Sequence, residues 1–150
     1  MSYITDISEK NYRQQLEDKV VQTRAQLKTF GEAPLEVFSS PIRNFRMRAE
    51  FKIWHEATHC SFAMYQPGTP KKAFTIQEFP IASETINRLM PQLIGEINTD
   101  EQLKHKLFQC EFLSTTTDKC VITLIYHKPL SEQWKARAEC LAKKLNCSII

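Results

Sequence analysis

Three short groups of residues in this 150-residue chain pair cations with aromatic rings. Arg46, Arg48, Lys52 and Trp54 alternate along one stretch, Lys104, His105, Lys106 and Phe108 form a second, and Tyr126, His127 and Lys128 a third. Single-stranded nucleic acid is held by that combination, because guanidinium and ammonium groups neutralise phosphates while rings stack on unpaired bases. One stacked base is worth roughly 1–3 kcal/mol, so a single well-placed ring is measurable. The same residues also fit blander roles. Charged outer faces are the norm for antiparallel strands, and Phe108 and Tyr126 alternate within apolar stretches where either suits a core equally well.

Other chemistries find less support. His55, His59 and Cys60 offer nitrogen and sulfur donors at i, i+4 and i+5, but they fall in an expected turn without a second ligand pair, so a polar turn is expected and no metal. The chain contains no G-x-G-x-x-G, P-loop, G-x-S-x-G or H-E-x-x-H pattern, and its three glycines are too few for a phosphate-cradling loop. The five cysteines, Cys60, Cys110, Cys120, Cys140 and Cys147, include no C-x-x-C pair, so they are expected as reduced thiols, mostly small core fillers. A formal charge of +3 permits a polyanionic partner only if the cations cluster. With no run of about 18 apolar residues and no basic-then-apolar leader, a cytoplasmic location and no membrane contact are expected.

The elements that must position these groups are legible as periodicities. From Phe45 to Ile53 every second residue is apolar, which predicts a strand with Phe45, Met47, Ala49, Phe51 and Ile53 inward and Arg46, Arg48, Glu50, Lys52 and Trp54 outward. A helix is expected from about Ser8 to Phe30, with Tyr12, Leu16, Val20, Leu27 and Phe30 as its stripe and Gly31 as its stop. Glu32 to Glu36 is a connector, and His55 to His59 a turn. Cys60 to Tyr65 and Lys71 to Gln77 read as strands about the Gln66-Pro67-Gly68-Thr69-Pro70 turn, giving a meander. Pro80 to Asn98 is helical, capped by Ser83, with Ile86, Leu89, Met90, Leu93 and Ile97 buried and a kink or break at Pro91. Leu107 to Ser114 and Lys119 to His127 form a hairpin through Thr115-Thr116-Thr117-Asp118. A last helix follows Ser131 with Trp134, Ala138, Leu141 and Leu145 on one face, and Cys147 to Ile150 opens another strand, so the natural chain is expected to run on. The sum is one α+β domain of order α-β-β-β-α-β-β-α-β, three helices on a mostly antiparallel sheet of five to six strands.

At Glu36–Pro41, Phe45–His55, His105–Gln109 and Tyr126–Lys128, in that order, the sequence resembles the N-terminal part of bacterial tRNA (uracil-5-)-methyltransferases. The run from Arg46 to His55 is its most specific segment, and the likeness extends over nearly the whole chain, including Leu16 and Lys19-Val20-Val21 of the opening helix. The resemblance implies a cytoplasmic enzyme that uses S-adenosylmethionine to methylate carbon 5 of the T-loop uridine in tRNA. In that family a cysteine thiolate adds to C6 of a flipped-out base, C5 takes the methyl group and a carboxylate removes the C5 proton.

The family's Gly-rich cofactor loop, its Asp-Pro-Pro motif and its Ser-Cys-Asn-Pro motif have no counterpart here, so none of the five cysteines is nominated as nucleophile. The expectation is a tRNA-recognition and scaffold domain that binds the T-arm, with the catalytic domain in cis, a monomer when full-length, and a fragment without cofactor or turnover. The implied RNA-binding set is Arg46, Arg48, Lys52, Trp54, Lys106, Phe108, Tyr126 and His127. Within it, Lys52 stands where the family has an arginine that contacts the T-loop, Phe108 matches a phenylalanine that stacks in the RNA site, and His127 lies in a matching Tyr-His-Lys segment. Lysine keeps the charge and loses the planar fork, which weakens a bidentate phosphate grip. The Gln66-to-Pro70 turn and Pro91 depart from the family pattern. The alternatives are a stand-alone RNA-binding or scaffold module and a protein-interaction domain.

Overall fold

A computed structural model describes residues 7–31, 34–66 and 68–150, the side chains of residues 69–71 excepted. In chain order the elements are α1 (Glu9–Leu27), β1 (Arg48–Glu56), β2 (His59–Gln66), β3 (Thr69–Ile76), α2 (Glu84–Thr99), the single turn α3 (Glu101–Lys104), β4 (Leu107–Ser114), β5 (Cys120–Tyr126), α4 (Glu132–Leu145) and β6 (Ser148–Ile149). The strands form one six-stranded sheet of order β3-β2-β1-β4-β5-β6, antiparallel except where β6 runs parallel to β5. The expected α+β architecture is present, with the one-turn helix α3 in addition. The expected connector residues Glu32 and Ala33 and turn residue Pro67 lie outside the described residues; Gly68 takes the left-handed φ of 77° that the turn requires.

Serine hydroxyls start the three longer helices. Ser8 accepts from the Asn11 amide, Ser83 from Ile86 and Ser131 from Trp134, each satisfying an otherwise orphaned first-turn donor. On α2 the stripe Ile86, Leu89, Met90, Leu93 and Ile97 is buried, and on α4 so are Trp134, Ala138, Leu141 and Leu145. Of the kink or break expected at Pro91, the break is absent: α2 runs unbroken from Glu84 to Thr99. An internal proline costs about 3 kcal/mol, whereas burying one large aliphatic side chain returns roughly 1.5–3 kcal/mol, and α2 buries five. Asn98 then clamps the end of α2 to β2, accepting from the Cys60 amide at 2.7 Å and donating to its carbonyl at 2.9 Å.

α2 and α4 cover one face of the sheet, where Phe51, Phe62, Phe79 and Phe112 meet at centroid separations of 5.4 to 6.0 Å. Cys60, Cys110 and Cys120 fill gaps in the same core as free thiols. Burial pushes the thiols of Cys60 and Cys120 up to about 11.

Three sequence expectations are corrected. The ladder begins at Arg48 rather than Phe45, because Arg46 is drawn aside into a bridge with Ala82, its amide donating to the Ile81 carbonyl; Phe45 is consequently 39% exposed. His55 and Glu56 belong to β1 and His59 to β2, since the pairs His55–Cys60 and Glu56–His59 continue the ladder and leave only Ala57 and Thr58 to turn. The stripe of α1 forms but buries no residue; Tyr12 is tied to the connector by a 2.8 Å hydrogen bond to the Ser40 carbonyl. Among the described residues no helix is long and apolar enough to cross a membrane.

Candidate nucleic-acid interface

Among the described residues no helix packs over the centre of the second face of the sheet, and its outward side chains Arg48, Glu50, Trp54, Tyr65 and Leu113 are exposed. Its composition follows from register. Lys52 pairs with Gln109, Glu50 with Glu111 and Arg48 with Leu113, so alternate residues of β1 and β4 share that side. Simple alternation from the buried Cys110 and Phe112 would send Phe108 into the core. The register instead shifts between Leu107 and Gln109, which makes Phe108 the extra residue of a β-bulge and turns its ring to the open side. Lys106, at a left-handed φ of 59°, precedes the bulge, and its carbonyl accepts from the His127 amide at 3.0 Å.

The result is a compact cluster. The Phe108 ring stacks on the His127 imidazole with centroids 4.0 Å apart and planes at 24°. The Lys52 ammonium lies over the same ring, 4.1 Å from its centroid, and also donates to the side-chain oxygen of Gln109. Gln109 is 7% exposed and donates onward to Glu111 at 3.0 Å. Glu111 in turn holds Arg48 at 3.0 Å, and Glu50 approaches the same guanidinium at 3.9 Å. Such a site can stack a base at the exposed side of the ring pair and offer cations to a phosphate chain.

Of the residues singled out from the sequence, the fold brings Arg48, Lys52, Trp54, Phe108 and His127 to this face. Lys106 is exposed beside the bulge, and Arg46 is exposed at the front of β1, its Nε donating to the Arg48 carbonyl at 2.9 Å. Tyr126 is placed on the opposite, helix-covered side. Its hydroxyl donates to the Leu103 carbonyl at 2.6 Å, its ring meets Trp134 edge-on at 5.5 Å, and burial pushes its pKa up to about 12. Lys128 follows it, donating to the Gln102 carbonyl. Lys104 is committed to Glu101 and to the Thr58 carbonyl.

The residues weighed as metal ligands separate. His55 donates to the Leu107 carbonyl at 2.7 Å, His59 pairs with Glu56 at 3.2 Å, and Cys60 is buried in the core. No group of three or more histidine, cysteine or acidic side chains suited to a metal ion occurs among the described residues.

Gln109 and Glu111 were not singled out from the sequence. Their signal was available only as a cross-strand consequence: two carboxylates directly opposite each other repel, so Glu50 facing Glu111 needs a cation between them, which Arg48 supplies.

Comparison with known proteins gives a consistent picture. The family model described as tRNA (Uracil-5-)-methyltransferase matches residues 11–150. The tRNA/tmRNA (uracil-C(5))-methyltransferase of Saccharophagus degradans is 50% identical over 141 residues, which cover 93% of this chain and 39% of the relative. That of Cellvibrio japonicus is 44% identical over 148 residues, 99% of this chain and 40% of the relative. That of Pseudomonas fluorescens strain SBW25 is 47% identical over 139 residues, 93% of this chain and 39% of the relative. The chain therefore spans about two-fifths of the length of the curated relatives it matches.

Proposed function

Because the chain belongs to the tRNA (uracil-5-)-methyltransferase family, we propose that it is the tRNA-recognition and scaffold domain of a cytoplasmic, S-adenosylmethionine-dependent enzyme. That enzyme forms 5-methyluridine in the tRNA T-loop, and its chemistry belongs to a Rossmann-like domain elsewhere in a longer, monomeric polypeptide. The observation that carries the proposal is the cluster of Lys52, Phe108 and His127 on a sheet face left open between Arg48 and Trp54.

Each part of the cluster has a task in that reading. Arg48 and Lys52, with Arg46 and Lys106 at the rim, take phosphates of the T-arm. The Phe108–His127 pair receives an unstacked base, and Trp54, two residues beyond Lys52 on the same strand face, offers a second ring. Tyr126 acts from behind, fixing the end of β5 through Leu103 and Trp134 so that His127 is held under Phe108.

In this reading the S-adenosylmethionine site belongs to the Rossmann-like domain. The buried thiols do not suit nucleophilic attack. Burial keeps Cys60, Cys110 and Cys120 protonated at neutral pH, whereas the thiolate is the reacting form.

The test is titration of the chain with a T-arm hairpin at several salt concentrations, with calorimetry for the cofactor. Binding should weaken steeply with salt, each phosphate contact adding about 0.7–0.9 to the logarithmic slope, and S-adenosylmethionine should give no heat. Salt-insensitive binding, or micromolar cofactor binding, would overturn the reading.

A further inference from the structure

We propose that Glu111, helped by Glu50, is a brake on polyanion binding at the open sheet face, and that Arg48 reaches a phosphate only by leaving Glu111. The inference rests on the RNA-binding reading above and adds how that binding is set. At the centre of the face Arg48 and Lys52 bring two positive charges and Glu50 and Glu111 two negative ones, so the patch is close to neutral in the free protein. The arrangement is specific. Glu111 holds the guanidinium at 3.0 Å and keeps only a quarter of its side chain exposed, Glu50 stands 3.9 Å from the same group, and the two acids occupy directly paired positions on β1 and β4.

An incoming phosphate that draws Arg48 away therefore does two unfavourable things. It leaves two facing carboxylates without their shared counter-ion, and it brings a third negative charge within a few ångströms of them. Glu111 is also hydrogen-bonded by Gln109, whose other end holds Lys52, so loss of the Arg48 contact is felt along the chain Arg48–Glu111–Gln109–Lys52. When RNA departs, the carboxylate takes the guanidinium back. The brake thus lowers affinity and speeds release together.

The experiment compares the chain with its Glu111→Gln variant, which keeps the shape and removes the charge, exchanging one acceptor oxygen for an amide donor. Affinity for a T-arm hairpin and for an unrelated oligonucleotide of equal length, their salt slopes and the dissociation rate are read in parallel. Glu111→Gln should bind both RNAs about fivefold more tightly, the size of one exposed ion pair, with slower dissociation. Its salt slope should be steeper by about 0.7–0.9, one phosphate contact. Glu50→Gln should act in the same direction and less.

Two comparisons keep the outcome specific. Glu139→Gln on α4, exposed and remote from the face, makes the same change in net charge and should change affinity far less. In an Arg48→Ala background the gain from Glu111→Gln should fall well below fivefold. Unchanged or weaker binding by a folded Glu111→Gln protein, an equal gain from Glu139→Gln, or a gain undiminished without Arg48 would overturn the brake while leaving RNA binding in place. Failure of the unmodified chain to bind RNA at all would overturn the functional reading itself.

Discussion

Phe112 and Phe108 lie on the same strand, β4, and alternation alone would give them the same surroundings. Phe112 is fully buried, with Phe51 and Phe62 edge-on to it at 6.0 and 5.9 Å. Phe108 is 37% exposed on the other side of the sheet, with an imidazole and an ammonium each about 4 Å from its centroid. One unpaired residue in the ladder separates the two fates. The helix-covered face is built for stability, and the open face holds rings and charges in fixed relation at some cost, since Lys52, Gln109 and Arg48 are all ordered there without adding core.

Changes on the covered face should be felt first as loss of folding. Phe112→Ala should lower unfolding stability by about 3–5 kcal/mol in denaturant melts; a loss below ~1 kcal/mol would mean that the two faces are not so distinct. Alkaline pH should act on the same face. Folded Cys60 and Cys120 hold their protons to about pH 11 against an ordinary 9.0, so between those values the folded state binds more protons than the unfolded. Stability is therefore full below pH 9 and declines as pH rises through 9 to 11; a protein equally stable at both ends of that window would contradict the burial of these thiols.

Phe108→Ala should leave the melt nearly unchanged and weaken T-arm binding by roughly 1–3 kcal/mol, one lost stack. An unchanged dissociation constant with the fold intact would assign the ring to packing alone. The smallest effect is expected where nothing is buried. Phe38 is 86% exposed, so Phe38→Ser should shift stability by no more than about 0.5 kcal/mol, and a larger loss would reveal packing around the connector.

Much of the covered face was legible in the sequence because it is written in short-range periodicity. The stripes of α2 and α4, the caps at Ser83 and Ser131 and the β4–β5 hairpin all follow from spacing within a few residues. What escaped depended on pairing that no local pattern announces. The bridge of Arg46 to Ala82 moves the start of β1, the pairs His55–Cys60 and Glu56–His59 extend a hairpin through an unpatterned stretch, and the bulge at Phe108 reverses the direction of one ring. The break at Pro91 failed to appear for the converse reason: a local penalty is visible in the sequence, while the five burials that outweigh it are tertiary.

The candidate site divides in the same way. The cations and rings were readable by type, but the side of the sheet each one occupies was not, which is why Tyr126 and His127, adjacent in sequence, end on opposite faces. Glu111 and Gln109, which hold the cations in place, were visible only once β1 and β4 were paired.

The central claim, that the open sheet face is the RNA-binding surface, is tested most directly by following amide and side-chain resonances of the labelled chain as a T-arm hairpin is added. The account predicts shifts concentrated at Arg48, Lys52, Trp54, Phe108, Gln109 and His127, with α2 and α4 undisturbed. Shifts gathered on the α2–α4 side, or scattered without reference to either face, would contradict it.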